Sequence, residues 1–393
     1  MREVVIVSAA RTPIGKFLGS LKSLSAVELG VIAVNAAMER AGIKPEQVED
    51  VVAGMVYKAG AKGNPARQVQ LEVGIPLQAG AVTVDQQCAS GMRAFEIAVS
   101  QIMLGKADIG VAFGIESMSN VPHILLNARN GYRLGGETIK DSLLYDALHC
   151  AFSGEHMGMT AEKLADIYSI SRKEQDEHAV LSHQRAIEAQ RAGKFADEIV
   201  PVEIKTRKGT VIVSEDECPD DNASTEILGK LRPAFIKEGS VTAGNASSIN
   251  DGAAAVVLMT AEKAKALGII PLAKVVSTAT VGVDPSVMGI GPVHAIPKAL
   301  DYAKLNIEDV DYFEINEAFA AQFLAVNKEL NLSMDKVNAN GSGISLGHPV
   351  GCTGIRILVS LISELKRRDA KYGCASLCVG GGPAMATIIE NIA

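Results

Sequence analysis

Cys88 stands in the run Asp85-Gln86-Gln87-Cys88-Ala89-Ser90-Gly91-Met92-Arg93, where a turn gives way to a long apolar helical pattern. A thiol at a helix N-terminus faces unpaired backbone N–H groups and the positive end of the helix dipole. Both favour thiolate over thiol. Small neighbours leave room for a reactant to approach the sulfur. A nucleophilic thiol also needs a base, and His348 is the candidate. It lies in Gly341-Ser342-Gly343-Ile344-Ser345-Leu346-Gly347-His348-Pro349-Val350-Gly351, a turn whose glycines let backbone come close to a ligand. A second thiol, Cys378, ends a strand-like run and is followed by Val379 and the triplet Gly380-Gly381-Gly382. The triplet lacks the spacing of a dinucleotide loop and reads as a source of backbone N–H donors for an oxyanion. Cys378 is then placed as a second acid/base, whereas Cys374, on the same strand face, reads as core. Asn316, at the end of the strand-like Phe313-Glu314-Ile315, can hold a water or a carbonyl.

These residues must be positioned by a chain of 393 residues, long enough for more than one domain. Strand-like runs at 4–8, 51–56 and 109–113 alternate with helical patterns at 26–41 and 92–104. Such alternation predicts a mostly parallel sheet covered by helices. The late part of the chain repeats this order. Val48-Glu49-Asp50-Val51-Val52 parallels Val310-Asp311-Tyr312-Phe313-Glu314, and Ser90-Gly91-Met92-Arg93 parallels Thr353-Gly354-Ile355-Arg356. The two matches share one displacement along the chain to within a residue, which points to an internal duplication. A pseudo-twofold between the halves would bring the Cys88 turn and the His348 turn face to face. The intervening residues, 119–247, carry helical patterns at 160–168 and 173–192 and polar stretches, and read as an insertion in the loops of the first half. A strand at 253–259 and a helix at 261–267 would close that half.

Composition narrows the function classes. The net charge of −7 and the lack of a basic stripe speak against nucleic acid as a partner. Six cysteines in a chain this long, none in a C-x-x-C pair, are neither a disulfide framework nor a zinc ribbon, so no metal is expected. The first apolar run is too short for a signal peptide, and no stretch is apolar enough to span a membrane. A cytoplasmic protein with no membrane partner is the expectation.

The motifs resemble those of the thiolases. Cys88-Ala89-Ser90-Gly91, Asn316-Glu317-Ala318-Phe319, Gly347-His348-Pro349 and Cys378-Val379-Gly380-Gly381-Gly382 occur in the family's order and spacing. Gly114-Ile115-Glu116-Ser117-Met118-Ser119, His156-Met157-Gly158-Met159-Thr160-Ala161-Glu162 and Thr242-Ala243-Gly244-Asn245-Ala246-Ser247 extend the likeness over essentially the whole chain. Within the family the nearest likeness is to bacterial acetyl-CoA acetyltransferases. The resemblance implies an α/β fold of two duplicated βαβαβ-type halves in a five-layer αβαβα core, with an inserted loop domain. The first half would comprise 1–118 with 248–270, the inserted domain 119–247 and the second half 271–393.

The resemblance also implies an activity, reversible condensation of two acetyl-CoA to acetoacetyl-CoA and CoA through an acyl-cysteine. Cys88 would be the nucleophile, His348 its base and Cys378 the acid/base at the substrate methyl. A water on Asn316, with His348, would hold the enolate oxygen. The N–H groups of Cys88 and Gly380 would hold the tetrahedral oxygen. Leu148, His156, Met157, Phe235, Ala243, Ser247, Met288, Ala318 and Phe319 match family positions along the pantetheine and acyl group. CoA would be substrate and product, with no separate cofactor. A homotetramer, with 119–143 as its assembly loop, is implied in the same way. Ala89 replaces the family's usual glycine and is expected to put a methyl beside the acyl site. Two other readings stay open, a 3-ketoacyl-CoA thiolase of broader chain length in fatty-acid degradation and a non-catalytic CoA-binding partner subunit.

Overall fold

The computed structural model describes residues 2–393. The first half begins with β1 (Val4–Arg11) and α1 (Ala26–Ala41). A βαβαβ run follows: β2 (Asp50–Gly54), α2 (Pro65–Glu72), β3 (Gly80–Val84), α3 (Ser90–Met103) and β4 (Ile109–Ser117). A long excursion carrying α4 (Met157–Ile167) and α5 (Arg172–Arg191) separates β4 from β5 (Asn250–Thr260) and α6 (Ala261–Leu267). The second half repeats the plan with β6 (Ala273–Gly282), α7 (Pro292–Ala303), β7 (Tyr312–Ile315), α8 (Ala320–Leu330), α9 (Val350–Arg368), β8 (Tyr372–Cys378) and β9 (Pro383–Asn391).

The strands join in the order β7-β8-β9-β6-β1-β5-β4-β2-β3. Outward from its middle, each half runs antiparallel, antiparallel, parallel: β1 to β5 to β4 to β2 in one, β6 to β9 to β8 to β7 in the other. The outer β2–β3 pairing has its counterpart in a single parallel bridge from Phe313 to Val337. The duplication read in the sequence is therefore built into the pairing. The sheet is mixed, however, not mostly parallel. Local β–α alternation predicts the parallel βαβ segments well. It is blind to β5, which returns from distant chain, and to β9, which follows β8 through the short loop 379–382; both pair antiparallel.

Alternate residues of each strand serve different layers, as the period of two requires. Val5, Val7, Val111, Phe113, Ala255 and Val257 pack with α1 and α2. Their neighbours Val4, Ile6, Ala112, Ala254, Val256 and Leu258 pack with α3 and α9. On the other side Ala375, Leu377, Met385 and Ile389 join that same α3–α9 layer, while Cys374, Ala386 and Ile388 pack with α7 and α8. The result is helix, sheet, helix pair, sheet, helix. The central position of α9 explains its composition, because it is buried along most of its length.

The two central helices begin in close contact. A Cβ on Gly54 would lie 2.2 Å from the Ser90 carbonyl carbon, and one on Gly354 would lie 2.3 Å from the Met92 nitrogen. Glycine at these places lets the N-terminus of α3 rest on β2 and on α9. That contact fixes where Cys88 and His348 stand relative to each other.

Candidate active site

The turn into α3 is held by its own side chains. Gln87 adopts φ 48°, the Ser90 hydroxyl donates to the Gln87 carbonyl at 2.6 Å, and the Gln86 N–H donates to the Ser90 hydroxyl at 2.9 Å. Cys88 follows this left-handed residue and opens, partly exposed, into a cavity of about 240 Å³. Burial pushes its thiol up to about 11, against the pull of the Gly380 and Cys88 backbone N–H groups. The helix terminus was expected to favour the thiolate. Desolvation outweighs it, and Cys88 rests as a thiol.

His348 lines the same cavity. Its N–H donates to Asn250 Oδ1 at 2.8 Å, and a Cβ on the preceding Gly347 would lie 2.6 Å from the Asn250 amide carbon. Its tautomer follows from its neighbours. The Thr353 hydroxyl donates to the Pro349 carbonyl at 3.0 Å, so it accepts from His348 Nδ1 at 2.6 Å. Nδ1 therefore carries the proton, and Nε2 keeps a lone pair. The Asn316 amide approaches Nε2 at 3.4 Å. Burial first, and the Arg356 charge second, lower His348 to about 3, so the imidazole is neutral.

Asn316 is clamped from behind. The Asn338 side chain accepts from the Ile315 N–H at 2.9 Å and donates to the Ile315 carbonyl at 2.7 Å, as a neighbouring strand would. Asn316 Oδ1 is buried without a partner among the described residues, a free acceptor beside His348. Cys378 is fully buried and packs in one apolar cluster with Met157, Met288, Ala318 and Phe319. Burial raises its thiol strongly, and the Cys88 sulfur adds to the effect. Gly380 lines the cavity, and its loop turns through left-handed Gly381 and Gly382 into β9.

Leu148, His156, Met157, Phe235, Ala243, Ser247, Met288, Ala318 and Phe319 all line this cavity as well. Two strands of loop are tied together to do this. The Ser247 N–H donates to the Ala318 carbonyl, the Ala320 N–H to the Asn245 carbonyl, and Ala246 bridges Phe319. Asn245 in turn donates to Asp176 Oδ1 at 2.9 Å, fixing the loop to α5. His156 caps α4 by accepting from the Gly158 N–H at 3.0 Å and stacks on Phe235. Ala89 does not face the cavity. It is fully buried among the apolar side chains packed with α3 and α9 and is not part of the cavity lining.

Three contributors have roles that sequence reading did not assign, although Thr353 and Glu116 lie in runs quoted above. Thr353 sets the His348 tautomer. Asn250 holds the His348 backbone, and only a polar residue opening an apolar strand hinted at it. Glu116 is buried and accepts from the N–H groups of Val56, Tyr57 and Gly351, joining the end of β2 to the start of α9. Burial raises its carboxyl to about 7 despite those donors. Among the described residues, no group of acidic, His or Cys side chains could hold a metal, and no helix is long and apolar enough to cross a membrane.

Comparisons with known proteins point one way. A model of the thiolase N-terminal domain matches residues 4–262, and one of the thiolase C-terminal domain matches residues 269–391. An acetyl-CoA acetyltransferase of Cupriavidus necator is 51% identical over 392 residues, with 100% of both chains covered. One of Escherichia coli is 50% identical over 393 residues, again covering 100% of both. The solved acetyl-CoA acetyltransferase of Syntrophomonas wolfei superposes with a TM-score of 0.98 at 51% identity over 100% of each chain. Human mitochondrial 3-ketoacyl-CoA thiolase in complex with CoA superposes at 0.96 with 41% identity, covering 100% of this chain and 98% of that one.

Proposed function

The chain belongs to the thiolase family, whose members are acyltransferases, and from that premise we propose that it is an acetyl-CoA C-acetyltransferase. It converts two acetyl-CoA to acetoacetyl-CoA and CoA, and the reverse, through an acetyl-Cys88 intermediate. The observation that carries this reading is one narrow cavity onto which Cys88, the His348 imidazole and Gly380 all open.

In the first half-reaction Cys88 Sγ attacks the thioester carbon while its proton passes to His348 Nε2. Neutral resting partners make that transfer part of the attack rather than a step before it. The N–H groups of Cys88 and Gly380 hold the tetrahedral oxygen, each contributing roughly 3 kcal/mol to the transition state. The departing CoA sulfur takes the Cys378 proton and leaves a Cys378 thiolate opposite an imidazolium. Burial makes that thiolate a strong base, suited to a carbon acid. In the second half-reaction it removes a proton from the methyl of another acetyl-CoA. The enolate oxygen is held by His348 and a water on Asn316. The enolate carbon attacks acetyl-Cys88, and the released Cys88 sulfur recovers the His348 proton. All three side chains return to their starting states.

Leu148, His156, Met157, Phe235, Ala243, Ser247, Met288, Ala318 and Phe319 are the CoA and acyl contacts in this reading. Residues 1–118 with 248–270 form one half, 271–393 the other, and 119–247 the CoA-binding insertion, with 119–143 as a tetramer loop. The enzyme works in the cytoplasm, in fatty acid metabolism, without a cofactor. Likeness to the human 3-ketoacyl-CoA thiolase, 42% identical in one structure, keeps a longer-chain reading in play. Thiolysis rates separate the two. Acetoacetyl-CoA is expected to be cleaved faster than 3-ketohexanoyl-CoA, and Cys88→Ala to abolish both. A faster rate on the longer substrate would overturn the acetyl assignment, and an inert wild type would favour a binding subunit.

A further inference from the structure

Most polar side chains lining the cavity have a partner. His348 and His156 are engaged as described. Thr242 Oγ1 accepts from the Gly244 N–H at 3.2 Å, and the Ser248 hydroxyl donates to Asn250 Oδ1 at 2.9 Å. Two side chains lack one among the described residues. Ser247 is already assigned to CoA. The other is Gln87.

Gln87 has its backbone fully used by the turn, with its N–H on Asp85 Oδ1 at 2.9 Å and its carbonyl accepting from Ser90. Only its carboxamide is left, and it faces the cavity. Its position is known relative to the oxyanion loop. A Cβ on Gly380 would lie 3.6 Å from Gln87 Oε1 and 3.4 Å from Met157 Sδ. The carboxamide thus stands beside the Gly380 backbone, on the wall of the cavity that an acyl group on Cys88 would enter. The other walls there are apolar: Leu148, Met157, Met288, Ile249 and Val350.

We propose that Gln87 is a specificity-determining residue that favours short acyl groups bearing a neutral hydrogen-bonding substituent, such as a hydroxyl, over unsubstituted chains of the same length. The proposal rests on Cys88 being the acyl carrier. An acetyl group is too short to cover the carboxamide and leaves it hydrated. A longer all-carbon chain would lie against it and strip its hydrogen bonds, while a hydroxyl on that chain would replace them. The lining of the cavity includes no Lys, Arg, Asp or Glu side chain, so a neutral substituent suits it better than a carboxylate.

The first half-reaction tests this alone. Cys88 attacks the acyl-CoA, the acyl–sulfur bond to CoA breaks as that to Cys88 forms, and isotopically labelled CoA reverses the step. Exchange is measured with acetyl-CoA, butyryl-CoA and racemic 3-hydroxybutyryl-CoA. The wild type is expected to prefer 3-hydroxybutyryl-CoA to butyryl-CoA by about tenfold in kcat/KM, the scale of one hydrogen bond left unmade in a closed site. Gln87→Leu should erase or invert that ratio. Gln87→Glu, equal in length and still an acceptor, should keep it. A wild type that favours butyryl-CoA overturns the proposal whatever the variants do, and so does an unchanged ratio in Gln87→Leu. Absence of any exchange with acetyl-CoA would instead overturn the acyl-Cys88 reading.

Discussion

Cys88 and His348 make a pair that rests uncharged, and each neutral state has its own cause. The thiol is raised to about 11 because burial costs a thiolate more than two backbone N–H groups return. The imidazole is lowered to about 3 because burial and Arg356 oppose its charge, while Thr353 leaves the lone pair on Nε2. An ion pair of the kind that pre-ionises some cysteine nucleophiles is therefore not the ground state here. The sign of the pH dependence follows. Raised folded-state ionisation means thiolate appears only as pH climbs toward 11. Alkylation of Cys88 by iodoacetamide, read by peptide mass, should speed up about tenfold per pH unit from pH 7 to pH 10 without levelling off. A plateau below pH 9 would mean that the thiolate is already formed. The residue types were legible in the sequence, and so was their convergence. The sense of the Cys88 shift was not, because a helix N-terminus is visible in a sequence and the burial that outweighs it is not.

At the scale of elements, the pair depends on where α3 and α9 start. Both starts sit on glycine contacts that leave no room for a methyl group. A Cβ on Gly91 would lie 2.9 Å from the Gly351 carbonyl oxygen, and one on Gly354 still closer to Met92 backbone. Backbone cannot rotate away as a side chain tip can. Gly354→Ala should cost about 1–3 kcal/mol of stability through overpacking and lower kcat by spreading the two turns. Gly229→Ala, where nothing lies within 4 Å of the added methyl, is the control and should leave the melting temperature near that of the wild type. Equal melting temperatures for the two variants would refute the tight-contact account. The sequence showed that Ser90-Gly91 and Thr353-Gly354 correspond. It did not show that each of these glycines packs against the start of the other helix, Gly91 on Gly351 and Ile355 and Gly354 on Met92, since periodicity reports an element's type and not its neighbours. The same limit hid the antiparallel placing of β5 and β9, whose apolar runs are equally compatible with either direction.

At the scale of the whole molecule, the question is how the excursion between β4 and β5 is anchored firmly enough to shape a cavity for the layered core. Much of the answer is a buried charge cluster that no local sequence pattern predicts, since its members lie far apart in the chain. Arg11, at the end of β1, donates from Nε to Glu198 at 2.9 Å and from Nη1 and Nη2 to the two oxygens of Asp216 at 2.8 and 3.0 Å. Arg11 and Glu198 are fully buried and Asp216 nearly so, and Asp216 also accepts from the Ile14 N–H. Replacing such a cluster whole by apolar residues can be neutral, but removing one member strands the others. Arg11→Met should therefore cost about 3–5 kcal/mol, more than loss of packing alone, because Asp216 loses its cation and Glu198 keeps only the more distant Arg367, 3.9 Å away. A charge-neutral pair of changes, Arg11→Met with Asp216→Asn, should recover part of that loss in melting temperature, because it removes one of the stranded charges. Limited proteolysis adds a spatial test. Loosening of the anchor should expose cleavage sites in residues 196–220 before any in α3 or α9, and in the proposed function, where the insertion contacts CoA while Cys88 and His348 stand on the core, the KM for acetoacetyl-CoA thiolysis should rise before kcat falls. A double variant no more stable than Arg11→Met alone would show that Arg11 acts by volume and not by charge.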